Sequence, residues 1–96
     1  MASVTWTKRT RHDLQEIHDF IARDSYQAAR AVTERIVAAT ERLATFPESG
    51  RILPEFPHLP YREIIVSSYR ILYRCTIDTV WIAAVVHGRR DFSGQV

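Results

Sequence analysis

Arg62, Arg70, Arg74, Arg89 and Arg90, with His87 among them, are the side chains of this chain best suited to chemistry. Arginine binds phosphates and carboxylates through two parallel N–H donors, where lysine acts as a point charge. A converging set would bind phosphate or acidic side chains, or stabilise charge in phosphoryl transfer. Arg70 and Arg74 lie within Ser68–Cys75, a strand-favouring run of Tyr, Ile and Leu. In a strand they share one face with Leu72 between them, which leaves Tyr69, Ile71, Tyr73 and Cys75 for the core face. The first face is expected to be partly open and to display the arginines. The alternative pairs these arginines internally with Glu63, Asp78 and Asp91, since ion-pair networks look like functional clusters in sequence. His87 closes a strand beside Arg89 and Arg90. It has the pKa of a general acid or base near neutrality, or else it bonds to backbone at the strand end.

Other chemistries find less support. His12 and His18 fall on different faces of a helix and His58 lies in a loop, so no metal site is expected. Cys75 sits on the presumed core face, where a thiol is usually a small apolar filler. Ser67 and Ser68 are turn residues, and Ser49-Gly50 lacks a nucleophile-elbow context. Gly50, Gly88 and Gly94 are scattered and form no phosphate-binding loop, and no cofactor is expected. Tyr61, Tyr69, Tyr73 and Trp81 offer ring surface for stacking on bases, but alternation assigns Tyr69 and Tyr73 to packing.

The elements that must position these residues follow from periodicity. Ser3–Thr7 alternates, with Val4 and Trp6 on one face, and reads as a first strand. Thr7 or Thr10 caps a helix over about Lys8–Arg23, with Leu14, Ile17 and Ile21 at helical spacing and Phe20 beside them. Asp24 or Ser25 caps a second helix whose stripe is Ala28, Ala29, Val32, Ile36, Ala39 and Leu43, ending at Phe46-Pro47. All four prolines lie from Pro47 to Pro60, a loop pinned by Leu53, Phe56 and Leu59. Tyr61–Val66, Ser68–Cys75 and Val80–His87 then form a meander with tight turns. The last of these is apolar on both faces and belongs inside the sheet. The order βααβββ predicts an α+β fold: a small, mainly antiparallel sheet with an N-terminal helical hairpin on one face.

Size and charge bound the partners. Ninety-six residues, 46% hydrophobic, suit one domain spanning 1–96. One cysteine excludes an internal disulfide and fits a reducing cytoplasm. No apolar run approaches the ~20 residues of a membrane helix. Through Glu48 seven bases balance seven acids; beyond it six arginines face four acids, which gives the whole net charge of +2. The excess on the second half suggests an acidic partner, nucleic acid or protein.

Four segments together resemble the RelE/ParE superfamily of bacterial toxins, often described as plasmid stabilisation proteins. They are Asp13-Leu14-Gln15-Glu16-Ile17 with Phe20-Ile21, the Pro47 to Gly50-Arg51 loop, Tyr69-Arg70-Ile71-Leu72-Tyr73-Arg74, and Val85-Val86-His87-Gly88-Arg89-Arg90-Asp91. The resemblance covers nearly the whole chain and implies the same βααβββ fold. It implies the toxin half of a type II toxin–antitoxin module, neutralised by an acidic, partly disordered antitoxin in a hetero-oligomer. RelE-like members cut messenger RNA on the ribosome; ParE-like members poison DNA gyrase. Carried over by position, a ribonuclease would use Arg62, Arg70 and Arg90, with His87 as a further group. However, the second basic position of that pattern is Ile64 here, and Phe92 or Val96 stands where a catalytic tyrosine is usual. The resemblance therefore leans to the ParE branch, with Arg62, Arg70, Arg74, Arg89 and Arg90 as contacts for target or antitoxin.

Overall fold

A computed structural model describes residues 1–88 of the chain. Strand β1 (Ser3–Trp6) leads into helix α1 (Lys8–Ala22), then helix α2 (Tyr26–Glu41) continued by a 3-10 turn at Arg42–Ala44. The strands β2 (Arg51–Ile52), β3 (Tyr61–Val66), β4 (Tyr69–Cys75) and β5 (Thr79–His87) follow. Thr7 caps α1, its Oγ1 accepting from the Thr10 N–H at 3.2 Å, and Ser25 caps α2, accepting from the Ala28 N–H at 3.1 Å. Each cap satisfies a donor that the first helical turn leaves without a partner. The Ile21 carbonyl accepts from both Asp24 and Ser25 at 3.1 Å, closing α1 within three residues of the start of α2. The link is therefore short, and the helices pack as a hairpin.

The sheet runs β1-β5-β4-β3-β2. β3, β4 and β5 form the expected antiparallel meander, whereas β1 pairs with β5 in parallel, Ser3 opposite Thr79 and Trp6 opposite Ile82. The apolar β5 thus lies inside the sheet, as its composition requires. One feature of β5 departs from simple alternation. The register passes from Leu72 opposite Ala84 to Tyr73 opposite Ile82, leaving Ala83 as a bulge. A bulge reverses the facing of all that follows it. So Val80 and Ile82 join Val85 on the helix side, while Ala84 and Val86 point to the other.

Two cores result. The larger holds Ile36, Leu43, Ile71, Tyr73, Val80, Ile82 and Val85 between sheet and helices. The smaller, on the outer face, holds Leu53, Leu72, Ala84 and Val86, with Phe56 and Tyr61 packed against it. The Pro-rich loop makes this second core: Leu53 is fully buried, and Phe56 and Leu59 are partly so. The outer face expected to be open is therefore roofed by the loop at one end. Two further expectations shift: Phe20 is 64% exposed, and Ala28 of the predicted α2 stripe is exposed. Thr10, wholly buried, ties α1 to the sheet, its hydroxyl 3.1 Å from the Ile82 carbonyl. Among the described residues, no helix is long and apolar enough to cross a membrane.

Candidate functional site

The arginines separate once the register is known. Arg70 lies opposite Ile65 and Arg74 opposite Tyr61, while Arg62 lies opposite the core residue Tyr73. Directly opposed residues share a face, so Arg70 and Arg74 stand on the outer face and Arg62 on the helix side. The converging cluster that the sequence allowed does not form from these three. Arg89 and Arg90 lie outside the described residues.

Arg70 is 7% exposed. Its Nη1 and Nη2 donate to the two carboxylate oxygens of Glu55 at 2.7 and 2.8 Å, a bidentate pair. Its Nε donates to Glu63 Oε1 at 2.7 Å. Glu63, on β3 beside Arg70, is completely buried, and its other oxygen accepts from Arg51 Nε. Two cations and two carboxylates thus interlock, and charge is balanced within the network. The Glu55 hydrogen bonds, opposed by burial and helped by Glu63, hold the Arg70 guanidinium well above its ordinary pKa. The contact to Glu55 straps the loop onto β4, and this is what roofs the smaller core. Internal pairing was the alternative reading for these arginines. Glu63 is one of the partners it named; Glu55 and Arg51 come from elsewhere in the chain, since β2 was not expected.

A second knot lies on the helix side. The Tyr73 hydroxyl donates to the Pro47 carbonyl at 2.8 Å and accepts from the Gly50 N–H at 2.9 Å. A Cβ at Gly50 would stand 2.5 Å from the Tyr73 oxygen and 2.6 Å from the Glu63 carbonyl, closer than atoms approach, so glycine is required there. Burial pushes the Tyr73 phenol upward, partly offset by the Gly50 N–H. Burial likewise raises the Cys75 thiol, whose sulfur lies 3.4 Å from the Pro47 carbonyl. Arg62 completes this edge by donating to the Gly50 carbonyl at 2.8 Å. Both ends of the loop are therefore fastened, one by hydroxyl and one by guanidinium.

Arg74 is exposed, in a row with Tyr61 on β3 and Trp81 on β5. His87, opposite Tyr69, packs edge-on against its ring at a centroid distance of 6.0 Å. The cleft of about 310 Å³ next to it is also lined by Arg9, Asp13, Glu16 and Phe20. On α1, His12, Asp13 and Glu16 carry ligand-type atoms within 4.8 Å of one another. His12 pairs with Glu16 at 3.4 Å, one turn apart, a histidine–carboxylate contact that the spacing between the histidines themselves does not reveal. Both of those side chains are about 70% exposed, where pairing to each other and to water is sufficient.

Two helices packed as a hairpin on one face of a five-stranded mixed sheet define an α+β fold, and that fold is shared with toxins of the RelE/ParE class. The chain belongs to the ParE toxin family of type II toxin-antitoxin systems, parDE, which it matches over residues 4–92. It is 35% identical over 91 residues to Toxin RelE2 of Caulobacter vibrioides, covering 94% of this chain and 99% of that one. Its fold superposes with a TM-score of 0.73 on a chain of the chromosomal ParDE TA system from P. aeruginosa, at 19% identity and covering 91% and 96% of the two chains.

Proposed function

We propose that this toxin acts in the cytoplasm by binding DNA gyrase, as a ParE-like poison, and that a cognate acidic antitoxin neutralises it in a hetero-oligomer. The observation that carries the reading is the state of Arg70. A ribonuclease would need this guanidinium turned toward an RNA phosphate, yet it is held by Glu55 and Glu63 behind the loop. Arg62 is engaged with backbone carbonyls, and Phe92 supplies no hydroxyl. A guanidinium whose donors are filled by carboxylates must give up those pairs before it can meet a phosphate, and this favours the gyrase reading. Arg74, exposed on the outer face, with Arg89 and Arg90 at the end of the chain, remains as the set proposed to meet target or antitoxin.

Purified toxin is expected to inhibit supercoiling by gyrase and to accumulate cleaved DNA, and to leave transcripts intact in a translating extract. Codon-dependent transcript cutting with gyrase unaffected would overturn the proposal. The partner is tested by the adjoining reading frame, which is expected to encode a small acidic protein that forms a stable complex with the toxin.

A further inference from the structure

One row of side chains on the outer face takes no part in the loop strap. Tyr61 on β3 lies opposite Arg74 on β4, Arg74 opposite Trp81 on β5, and Trp81 opposite Thr5 on β1. Directly opposed residues share a face, so the row crosses four strands at the end that the loop leaves unroofed. The bulge at Ala83 puts Trp81 in it. Val85 packs on the helix side, and strict alternation would bury Ala83 and Trp81 with it. The extra residue gives the helix side to Val80 and Ile82 instead and turns Trp81 outward. Bulges re-aim side chains in this way next to functional sites.

The result is a large ring, 41% exposed, on a sheet face. The second ring is anchored: the Tyr61 carbonyl accepts from the Leu53 N–H at 3.2 Å, and its side chain packs against the smaller core. Between them the exposed Arg74 guanidinium meets no carboxylate among the described residues. The row itself holds no acid, and Glu63, the next residue along this face of β3, is taken by Arg51 and Arg70. Neighbouring strands lie about 4.8 Å apart, so Tyr61 and Trp81 stand roughly 10 Å apart with the cation midway. Bases stacked in a duplex rise only about 3.4 Å. Bases seated on these two rings must therefore be splayed, which only unpaired nucleotides allow.

We propose that Tyr61, Arg74 and Trp81 form a binding site for single-stranded nucleic acid. One base stacks on Trp81, another on Tyr61, and a phosphate between them meets the Arg74 guanidinium. Every base has a π-face, so such a platform binds with little regard to sequence, while arginine grips the phosphate through paired donors. An acidic peptide would satisfy Arg74 and leave both ring faces without flat partners. The three residues address base and phosphate, which DNA and RNA share. None of them is among Arg62, Arg70, His87 and Arg90, the positions a ribonuclease would use, and the site does not depend on the gyrase reading.

The experiment titrates the full isotope-labelled chain with oligothymidylate and oligouridylate of about eight nucleotides, within the span of single-strand sites, and with a DNA duplex. NMR follows the indole N–H signals of the two tryptophans, and fluorescence titration gives affinity across a range of salt. The Trp81 indole is expected to shift while that of Trp6, packed on the helix-side core, stays in place. At least one single strand is expected to bind tenfold more tightly than the duplex, and whichever binds better identifies the source as DNA or RNA. Trp81→Ala and Tyr61→Ala should each weaken binding at least fivefold. Arg74→Gln, an exposed position that does not test folding, should lower the slope of log affinity against log salt by about 0.7, the share of one phosphate. Single-strand binding that leaves both the Trp81 signal and the Arg74→Gln slope unchanged runs through other arginines and overturns the site. Equal binding of duplex and single strands, or no binding of either oligonucleotide, also overturns it. So does a Trp81 signal that moves only with the acidic protein of the adjoining frame. Gyrase inhibition is read without these oligonucleotides, so the two readings fail separately.

Discussion

Arg70→Ala is expected to destabilise the toxin severely, without any need for Arg70 to touch a target. The substitution leaves Glu63, with no exposed side-chain surface, facing only Arg51, whose own side chain is 65% exposed. It also releases Glu55, 20% exposed, from its bidentate partner. Removing one member of a buried ion pair costs about 3–5 kcal/mol, because the remaining charge is stranded. That is a large share of the roughly 5–15 kcal/mol that holds a domain together. At roughly 4–8 °C per kcal/mol for a domain of this size, the melting temperature falls by at least about 12 °C. Urea unfolding followed by far-UV circular dichroism at pH 7 measures the loss. Arg74→Ala, exposed on the same strand, is the control and should cost under about 0.5 kcal/mol. Adding Glu63→Gln to Arg70→Ala should restore part of the loss, since the stranded group is then neutral. If Arg70→Ala costs no more than Arg74→Ala, water screens the network and the clamp has no structural weight. Growth inhibition lost in Arg70→Ala should therefore follow the loss of folded protein.

Tyr73→Phe removes two buried hydrogen bonds and should cost roughly 1–3 kcal/mol for each group left unmatched; the midpoint of urea unfolding reports it. The same tyrosine sets an alkaline limit. Its folded pKa is raised by burial above the ordinary value, so the folded state holds the proton longer than the unfolded one. Stability is complete below about pH 10 and declines as pH rises from there through the folded value. Replacing Tyr73 by Phe should flatten that decline, and an unchanged alkaline profile would count against the burial argument. Gly50→Ala places a methyl carbon against both the Tyr73 oxygen and the Glu63 backbone. It should destabilise by at least as much as Tyr73→Phe, and a double variant that is less than additive would locate the two effects in one contact.

Where local pattern determines structure, the sequence was a sufficient guide. Lys8 does begin α1, Tyr61–Val66 is β3 to the residue, and the apolar run ending at His87 lies inside the sheet. Toxin membership could be read from four segments in order, and the family match covers almost the whole chain. Pattern failed where distant segments decide the outcome. Strand alternation put Arg70 and Arg74 on one face, but whether that face met water depended on the path of the loop. Leu53 and Glu55 both bring the loop back over β4, and no periodicity encodes such a return. The bulge at Ala83 was hidden for a different reason: with apolar residues on both faces of β5, a shift in facing leaves no trace in composition. Glu63 carried a faint signal, a lone acid in an otherwise strand-forming run, which in a buried strand calls for a paired cation.

The parallel pairing of β1 has a consequence for how the toxin is made. β1 is translated before the other strands of this sheet, yet its strand partner is β5, with Ser3 opposite Thr79. At a synthesis rate of about 5–20 residues per second, the N-terminal strand waits several seconds for the segment that completes it. The helical hairpin and the β3–β4–β5 meander rest on near-neighbour contacts and can assemble first, whereas closing a long loop comes late. The sheet therefore grows outward from its central strands, and β1 has no strand to pair with until β5 has been translated.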